Sequence, residues 1–184
     1  SFINQIMIEI GFLPRGEIIW NKAASAGVSC AWGSWKSASN PILRDVHEYI
    51  LVFSKGEYKL PRGRNEKDEG RVDTIGKEEF IEWTKSIWTF PTVSAKRVGH
   101  PAPFPVELPR RCMELYTFTG DVVLDPFSGR GTTAVEAMAQ GRIGIGNDLN
   151  DLAVALTKGK LANPNLQELL VRLDDLERNY FRTD

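Results

Sequence analysis

The chain has 184 residues, 42% hydrophobic and 26% charged, with a formal net charge of −1. This is long enough for a real core and ordinary for a soluble globular protein. It excludes a polycation that binds nucleic acid over its whole surface, so any such binding must rest on local basic patches.

Residues 1–11 read as a helix with Phe2, Ile3, Ile6 and Ile10 on one face that needs a partner, and Gly11 as its stop. Phe12–Gly16 reads as a turn and Glu17–Lys22 (EIIWNK) as a strand. Residues 23–46, rich in Ala, Ser and Gly and carrying Trp32 and Trp35, read as a long loop, a length usually tied to function or motion. His47–Ser54 (HEYILVFS) is a strand, and its continuous apolar run Ile50–Phe53 predicts burial on both faces. Residues 55–76 mix charge, Gly and Pro and read as an exposed loop. Lys77–Ser86 follows as a short helix carrying Trp83, then Ile87–Pro91 as an extended segment. The three prolines of His100–Pro105 (HPAPFP) forbid a helix there, and Pro105 suits the first turn of a helix running from Val106 to Phe118.

The most informative segment is Val122–Asn150, VVLDPFSGRGTTAVEAMAQGRIGIGNDLN. An apolar strand stops at Ser128-Gly129-Arg130-Gly131. A helix follows over Ala134–Gln140, Gly141 ends it, and a second apolar run, Ile143–Gly146, delivers Asp148. Gly129 and Gly131 allow positive φ and close approach of a ligand, and Thr132 or Thr133 can cap the helix through its hydroxyl. Asp148 stands 19 residues after Gly129, near the ~20-residue offset at which an acid meets ribose hydroxyls in doubly wound sheets. Two glycines after a strand are by themselves as easily a tight turn; the linked order of strand, turn, helix, strand and acid is the stronger signal. The third glycine of the dinucleotide fingerprint is missing, and no Lys follows Gly131 as in a phosphate loop. The implied ligand has a ribose and need not have a phosphate.

Two more helices follow, about Leu152–Ala162 and Leu166–Tyr180, the second with a leucine stripe (Leu166, Leu169, Leu170, Leu173, Leu176) that reads as a packing face. No internal repeat is present. Cys30 and Cys112 are too few and too distant for a disulfide scaffold or metal site. They read as reduced thiols, Cys112 on a helix packing face. No apolar run approaches the ~18 residues of a membrane span and no signal peptide is visible, so the expected location is cytoplasmic, with no membrane partner.

Asp125–Thr133, DPFSGRGTT, resembles the D-P-F-x-G-x-G-T-T signature of the amino-group DNA methyltransferases, which methylate the exocyclic nitrogen of adenine or cytosine. The resemblance implies S-adenosyl-L-methionine as cofactor. It assigns the turn around the amino-acid part of that cofactor to Asp125, Pro126, Phe127, Gly129, Gly131, Thr132 and Thr133, and the ribose to Asp148. HPAPFP resembles the family's H-P-x-x-x-P segment, so His100, Pro101 and Pro105 are expected to line the methionine end of the pocket. EIIWNK, HEYILVFSKG and SIWTFP (Ser86–Pro91) are similar to further family segments, and the order is that of the β class. The implied fold is α/β, a Rossmann-like S-adenosylmethionine-dependent methyltransferase fold with a mixed sheet and helices on both faces, here incomplete. Residues 1–184 are expected to form one methyltransferase domain: catalytic-half strands (1–56), a recognition and connector region (57–95), the cofactor-binding half (96–163) and a C-terminal helix (164–184).

The family's catalytic motif, an (Asp, Asn or Ser)-Pro-Pro-aromatic turn that holds the target amino group, has no match, because the sequence contains no Pro-Pro dipeptide. The chain is therefore expected to begin downstream of it and to carry no catalytic residue of its own. The implied partner is double-stranded DNA, with either a second copy of the chain or a missing N-terminal segment. Candidate phosphate contacts are Lys55, Lys59, Arg62, Arg64, Lys67, Arg71, Lys96 and Arg97, with Trp32 and Trp35 as stacking faces. Acids in the same loop (Glu66, Asp68, Glu69, Asp73) make a plain solvated surface an equal reading. The rival functions are a non-catalytic remnant or interaction module of this fold, a methyltransferase for RNA or small molecules, and a nicotinamide-dependent oxidoreductase.

Overall fold

The computed structural model describes residues 2–22, 36–43, 45–59, 71–93, 104–162 and 165–180. Two compact units result, Ser1–Asp121 and Val122–Asp184.

The N-terminal unit contains α1 (Phe2–Glu9), β1 (Phe12–Asn21), β2 (His47–Lys55), α2 (Lys77–Trp83), β3 (Ile87–Thr89) and α3 (Glu107–Tyr116). Its three-stranded sheet has the order β2-β1-β3 and is mixed, since β1 runs antiparallel to β2 and parallel to β3. The turn expected at Phe12–Gly16 is part of β1. Pro14 pairs with Phe53 and Gly16 with Val52, so Arg15 is the extra residue of a bulge. A bulge is where a strand tolerates a proline that has no N–H to give the ladder. The Arg15 guanidinium closes over it, donating to Ser54 Oγ (3.2 Å) and to the Tyr58 carbonyl. β2 was expected to be buried on both faces; it is instead an outer strand of this sheet, with Ile50–Phe53 half-buried and Tyr49 exposed.

The core of this unit is aromatic. Ile18, Trp20, Trp88 and Phe90 are buried, with Ile50, Val52, Phe104, Leu108, Cys112 and Leu115 packed against them. Both indole N–H groups find acceptors, Trp20 at the Phe90 carbonyl and Trp88 at the Trp83 carbonyl, each at 3.0 Å. Those bonds let polar rings be buried without an orphan donor. Arg111 of α3 lies over Trp83, Trp88 and Phe90 at 5.3, 5.4 and 5.0 Å and pairs with Glu107 at 2.7 Å. It thereby clamps α3 to the aromatic wall. The expected partner face of α1 is open: Phe2, Ile3, Ile6 and Ile10 are all exposed.

The C-terminal unit contains β4 (Val122–Asp125), α4 (Thr132–Ala139), β5 (Ile143–Gly146), α5 (Asp151–Leu161) and α6 (Leu166–Tyr180). β4 and β5 pair in parallel, Val122 beside Ile143 through Asp125 beside Gly146, with α4 as the crossover. α4 ends in a Schellman closure, Gly141 N–H to the Met138 carbonyl and Arg142 N–H to the Ala137 carbonyl, with Gly141 at φ 73°. α4 lies flush on the strand because residue 144 is glycine: a Cβ there would stand 2.3 Å from the Ala134 carbonyl oxygen. The leucine stripe of α6 was expected to pack, yet Leu169, Leu170, Leu173 and Leu176 are 42–54% exposed. No helix among the described residues is long and apolar enough to cross a membrane.

Candidate functional site

After β4 the chain turns through Pro126–Gly131 into α4, and the residues following β5 knit into this turn. Phe127 N–H donates to Asp125 Oδ1 (3.1 Å), Ser128 N–H to the Asn147 carbonyl (2.8 Å), Gly129 N–H to Asp148 Oδ2 (2.7 Å) and Gly131 N–H to the Ser128 carbonyl (2.7 Å). Asn147 returns the tie with its N–H on the Asp125 carbonyl (2.9 Å) and Nδ2 on the Pro126 carbonyl (3.2 Å). Every backbone donor must be accounted for. Here the N–H groups of Arg130, Thr132 and Thr133 have no hydrogen-bond partner among the described residues.

The cap differs from the expected one. Neither Thr132 nor Thr133 caps α4; the N-cap is Gly131, in the left-handed region at φ 77°, with no side-chain cap hydrogen bond among the described residues. A glycine takes this conformation without a Cβ clash, and the threonines then become the first two helical residues. Gly129 is also at positive φ (49°), and the turn leads into a helix N-terminus, whose dipole favours negative charge.

Asp148 is half-buried and already engaged. Oδ2 accepts from Gly129 and Oδ1 accepts from Asn150 N–H at 2.9 Å. Asn150 in turn caps α5, its Oδ1 accepting from Leu152 N–H at 3.0 Å.

Asp125, Pro126, Phe127, Gly129, Gly131, Thr132, Thr133 and Asp148 thus come together within the C-terminal unit. Phe127 is 87% exposed. Pro105 belongs to the N-terminal unit, half-buried just before α3, with its carbonyl accepting from Leu108 N–H at 3.1 Å. His100 and Pro101 lie outside the described residues, as do Arg62, Arg64, Lys67, Lys96, Arg97, Trp32 and Trp35. Of the basic candidates, Lys55, Lys59 and Arg71 are described, and Arg71 lies 5.5 Å over the Phe118 ring.

Sequence reasoning passed over Asn147, Ser128 and two residues of α5. Thr157 is buried, and Lys160 Nζ donates to the Arg130 carbonyl at 2.6 Å. Burial, and then the neighbouring Arg130 charge, lower the Lys160 pKa. Cys112 is packed in the aromatic core, where burial pushes its thiol up to about 11, as expected of an inert structural cysteine. Among the described residues no cluster of His, Cys, Asp or Glu is arranged to hold a metal.

The family model described as DNA methylase, of the N6/N4 type, matches residues 1–159. The type II methyltransferase M.MthZI of Methanothermobacter thermautotrophicus is 34% identical over 72% of this chain and 39% of its own length. M.MjaI of Methanocaldococcus jannaschii is 34% identical over 77% of this chain and 47% of its own. The chain therefore spans less than half the length of these relatives. Among solved structures, TTHA0409 of Thermus thermophilus in complex with S-adenosyl-L-methionine matches at a TM-score of 0.64 and 29% identity, over 87% of this chain and 58% of that one. The PvuII cytosine-N4-specific DNA methyltransferase matches at a TM-score of 0.62 and 19% identity, over 95% of this chain and 60% of that one, a likeness of fold alone. The expected α/β methyltransferase fold with a mixed sheet is borne out, and the chain belongs to the amino-group DNA methyltransferase family.

Proposed function

We propose that this chain is the S-adenosyl-L-methionine-binding part of a DNA methyltransferase acting on the exocyclic amino group of adenine or cytosine. One observation supports the reading above all: the Asp148 carboxylate lies 2.7 Å from the Gly129 amide, in the turn whose Arg130, Thr132 and Thr133 amides have no partner among the described residues. A ligand with a ribose diol and an amino-acid carboxylate fits that donor and acceptor set. Asp148 accepts the ribose hydroxyls, and the amides receive the carboxylate. Asp125, Pro126, Phe127, Gly129 and Gly131 shape the turn, and His100, Pro101 and Pro105 are assigned to the methionine end by resemblance.

The bound cofactor supplies an electrophilic sulfonium methyl. The protein's contribution is to hold that group in line with a neutral amino nitrogen, and positioning of this kind carries much of the rate. The target base must first leave the stack, and the turn that would present it needs a Pro-Pro pair that these 184 residues lack. The isolated chain is therefore expected to bind the cofactor and to turn over negligibly. Calorimetry with S-adenosylhomocysteine against NAD tests the first half. The homocysteine nucleoside should bind and NAD should not, and Asp148→Ala should weaken binding about tenfold or more, the scale of a lost charged hydrogen bond. Preference for NAD refutes the reading. Efficient methylation of duplex DNA by the isolated chain refutes the second half.

A further inference from the structure

The turn that carries the Arg130 amide is built from residues that hold a peptide plane poorly. Gly129 and Gly131 flank Arg130, and glycine lets the two intervening peptides rotate at little cost. Something outside the turn must fix them, and the contacts come from one face of α5. Thr157, 5% exposed, fills the space beside Gly131: a Cβ on that glycine would meet Thr157 Oγ1 at 2.6 Å, Cγ2 at 2.7 Å and Cβ at 3.0 Å. The Thr157 hydroxyl reaches the Gly129 carbonyl at 3.5 Å, a long contact. One helical turn further, Lys160 Nζ holds the Arg130 carbonyl at 2.6 Å.

In a trans peptide the carbonyl and the N–H point in opposite directions. Drawing the Gly129 carbonyl toward α5 therefore turns the Arg130 amide away from α5. The next peptide is held from both sides, its carbonyl by Lys160 and its N–H, that of Gly131, by the Ser128 carbonyl at 2.7 Å. We propose that Thr157 and Lys160 are positioning residues of the cofactor turn, fixing the Gly129 and Arg130 carbonyls against α5 so that the Arg130 amide is presented to the amino-acid end of the bound nucleoside. The inference rests on the cofactor reading above, and both residues act through backbone carbonyls of the turn.

The test uses the full 184-residue chain, two ligands and one ligand-free measurement. S-adenosylhomocysteine has the amino-acid end; adenosine does not. Lys160→Met and Thr157→Val should each weaken S-adenosylhomocysteine about three- to tenfold and change adenosine by less than about twofold, the range for one hydrogen bond acting at a distance. Lys160→Arg should restore binding, because its guanidinium can still donate to the carbonyl. Amide exchange at Gly131, whose N–H is bonded to the Ser128 carbonyl, should quicken in Lys160→Met without ligand when followed by NMR. Asp148→Ala, acting at the ribose, should weaken both ligands. Undiminished S-adenosylhomocysteine binding in Lys160→Met and Thr157→Val overturns the inference, and so does an equal loss for both ligands, which would mean general destabilisation. If the unaltered chain binds neither ligand, the cofactor reading fails. The positioning role is then decided by exchange alone, and unchanged exchange in Lys160→Met overturns it.

Discussion

Gly131→Ala separates backbone strain from packing at the turn. At φ 77°, a non-glycine residue carries about 1–2 kcal/mol of left-handed strain. The new methyl also stands 2.6–3.0 Å from three atoms of Thr157, and overpacking of this kind costs about 1–3 kcal/mol. The sum is about 2–5 kcal/mol, a large share of the ~5–15 kcal/mol by which domains are stable. Gly56→Ala is the matched control, because its φ is 84° but nothing lies within 4 Å of its Cβ position. It should lose only the strain, about 1–2 kcal/mol. Adding Thr157→Ala to Gly131→Ala removes the two closest atoms, and about 1 kcal/mol or more should return as a coupling energy. Urea unfolding followed by far-ultraviolet circular dichroism is the assay. Tryptophan fluorescence serves only the control, since all five tryptophans precede Val122. The reasoning is wrong if Gly131→Ala costs no more than Gly56→Ala, or if Thr157→Ala returns nothing.

Gly144→Ala should be harsher, because its methyl would meet the Ala134 carbonyl oxygen at 2.3 Å and Cα at 2.8 Å. No rotamer relieves a clash with backbone, so a loss of about 3 kcal/mol or more is expected, and an unshifted denaturation midpoint would contradict the flush packing of α4. Arg111→Ala removes a cation half-enclosed by Trp83, Trp88 and Phe90 and leaves Glu107 unpaired. Fluorescence-monitored unfolding should show a loss of about 2–3 kcal/mol, with Arg111→Lys between because it cannot stack flat; equal stability of Arg111→Lys and the unaltered chain would remove the stacking argument. Cys112 gives a pH window. Burial raises its thiol from the ordinary 9.0 to about 11, so above pH 9 the unfolded chain binds fewer protons than the folded one. Stability should fall by about 2–3 kcal/mol as pH rises through that window, and Cys112→Ala should remove that part of the slope; an identical pH profile for the two proteins would show that the thiol is not desolvated.

The C-terminal unit was the more legible half because its signals are local. β5 is bracketed by Gly141, which closes α4, and by the polar Asn147-Asp148 pair, so Ile143–Gly146 emerges at the expected bounds. α6 has the expected bounds too, but its leucine period could not say whether a partner is present, and those leucines are half exposed. In the N-terminal unit, Pro14 and Gly16 read as turn residues; only the pairing with β2 reveals that a bulge at Arg15 absorbs them. The apolar run Ile50–Phe53 likewise predicted two-sided burial, which depends on neighbouring strands that no local pattern specifies.

At the candidate site the division falls between residue type and residue engagement. A glycine pair and an acid 19 residues on can be read from the chain, and the structure brings them within a hydrogen bond of each other. That the acid's two oxygens hold two backbone amides is invisible in one dimension, as is the choice of Gly131 over either threonine as the cap, which turns on the sign of one dihedral angle. Thr157 is the extreme case. It lies 28 residues from Gly129 in the middle of α5 and matches no motif, yet it occupies the volume that forbids a side chain at Gly131. A motif of small residues records only where atoms are missing, and the residue that fills the missing volume is the one that decides what the small residues can do.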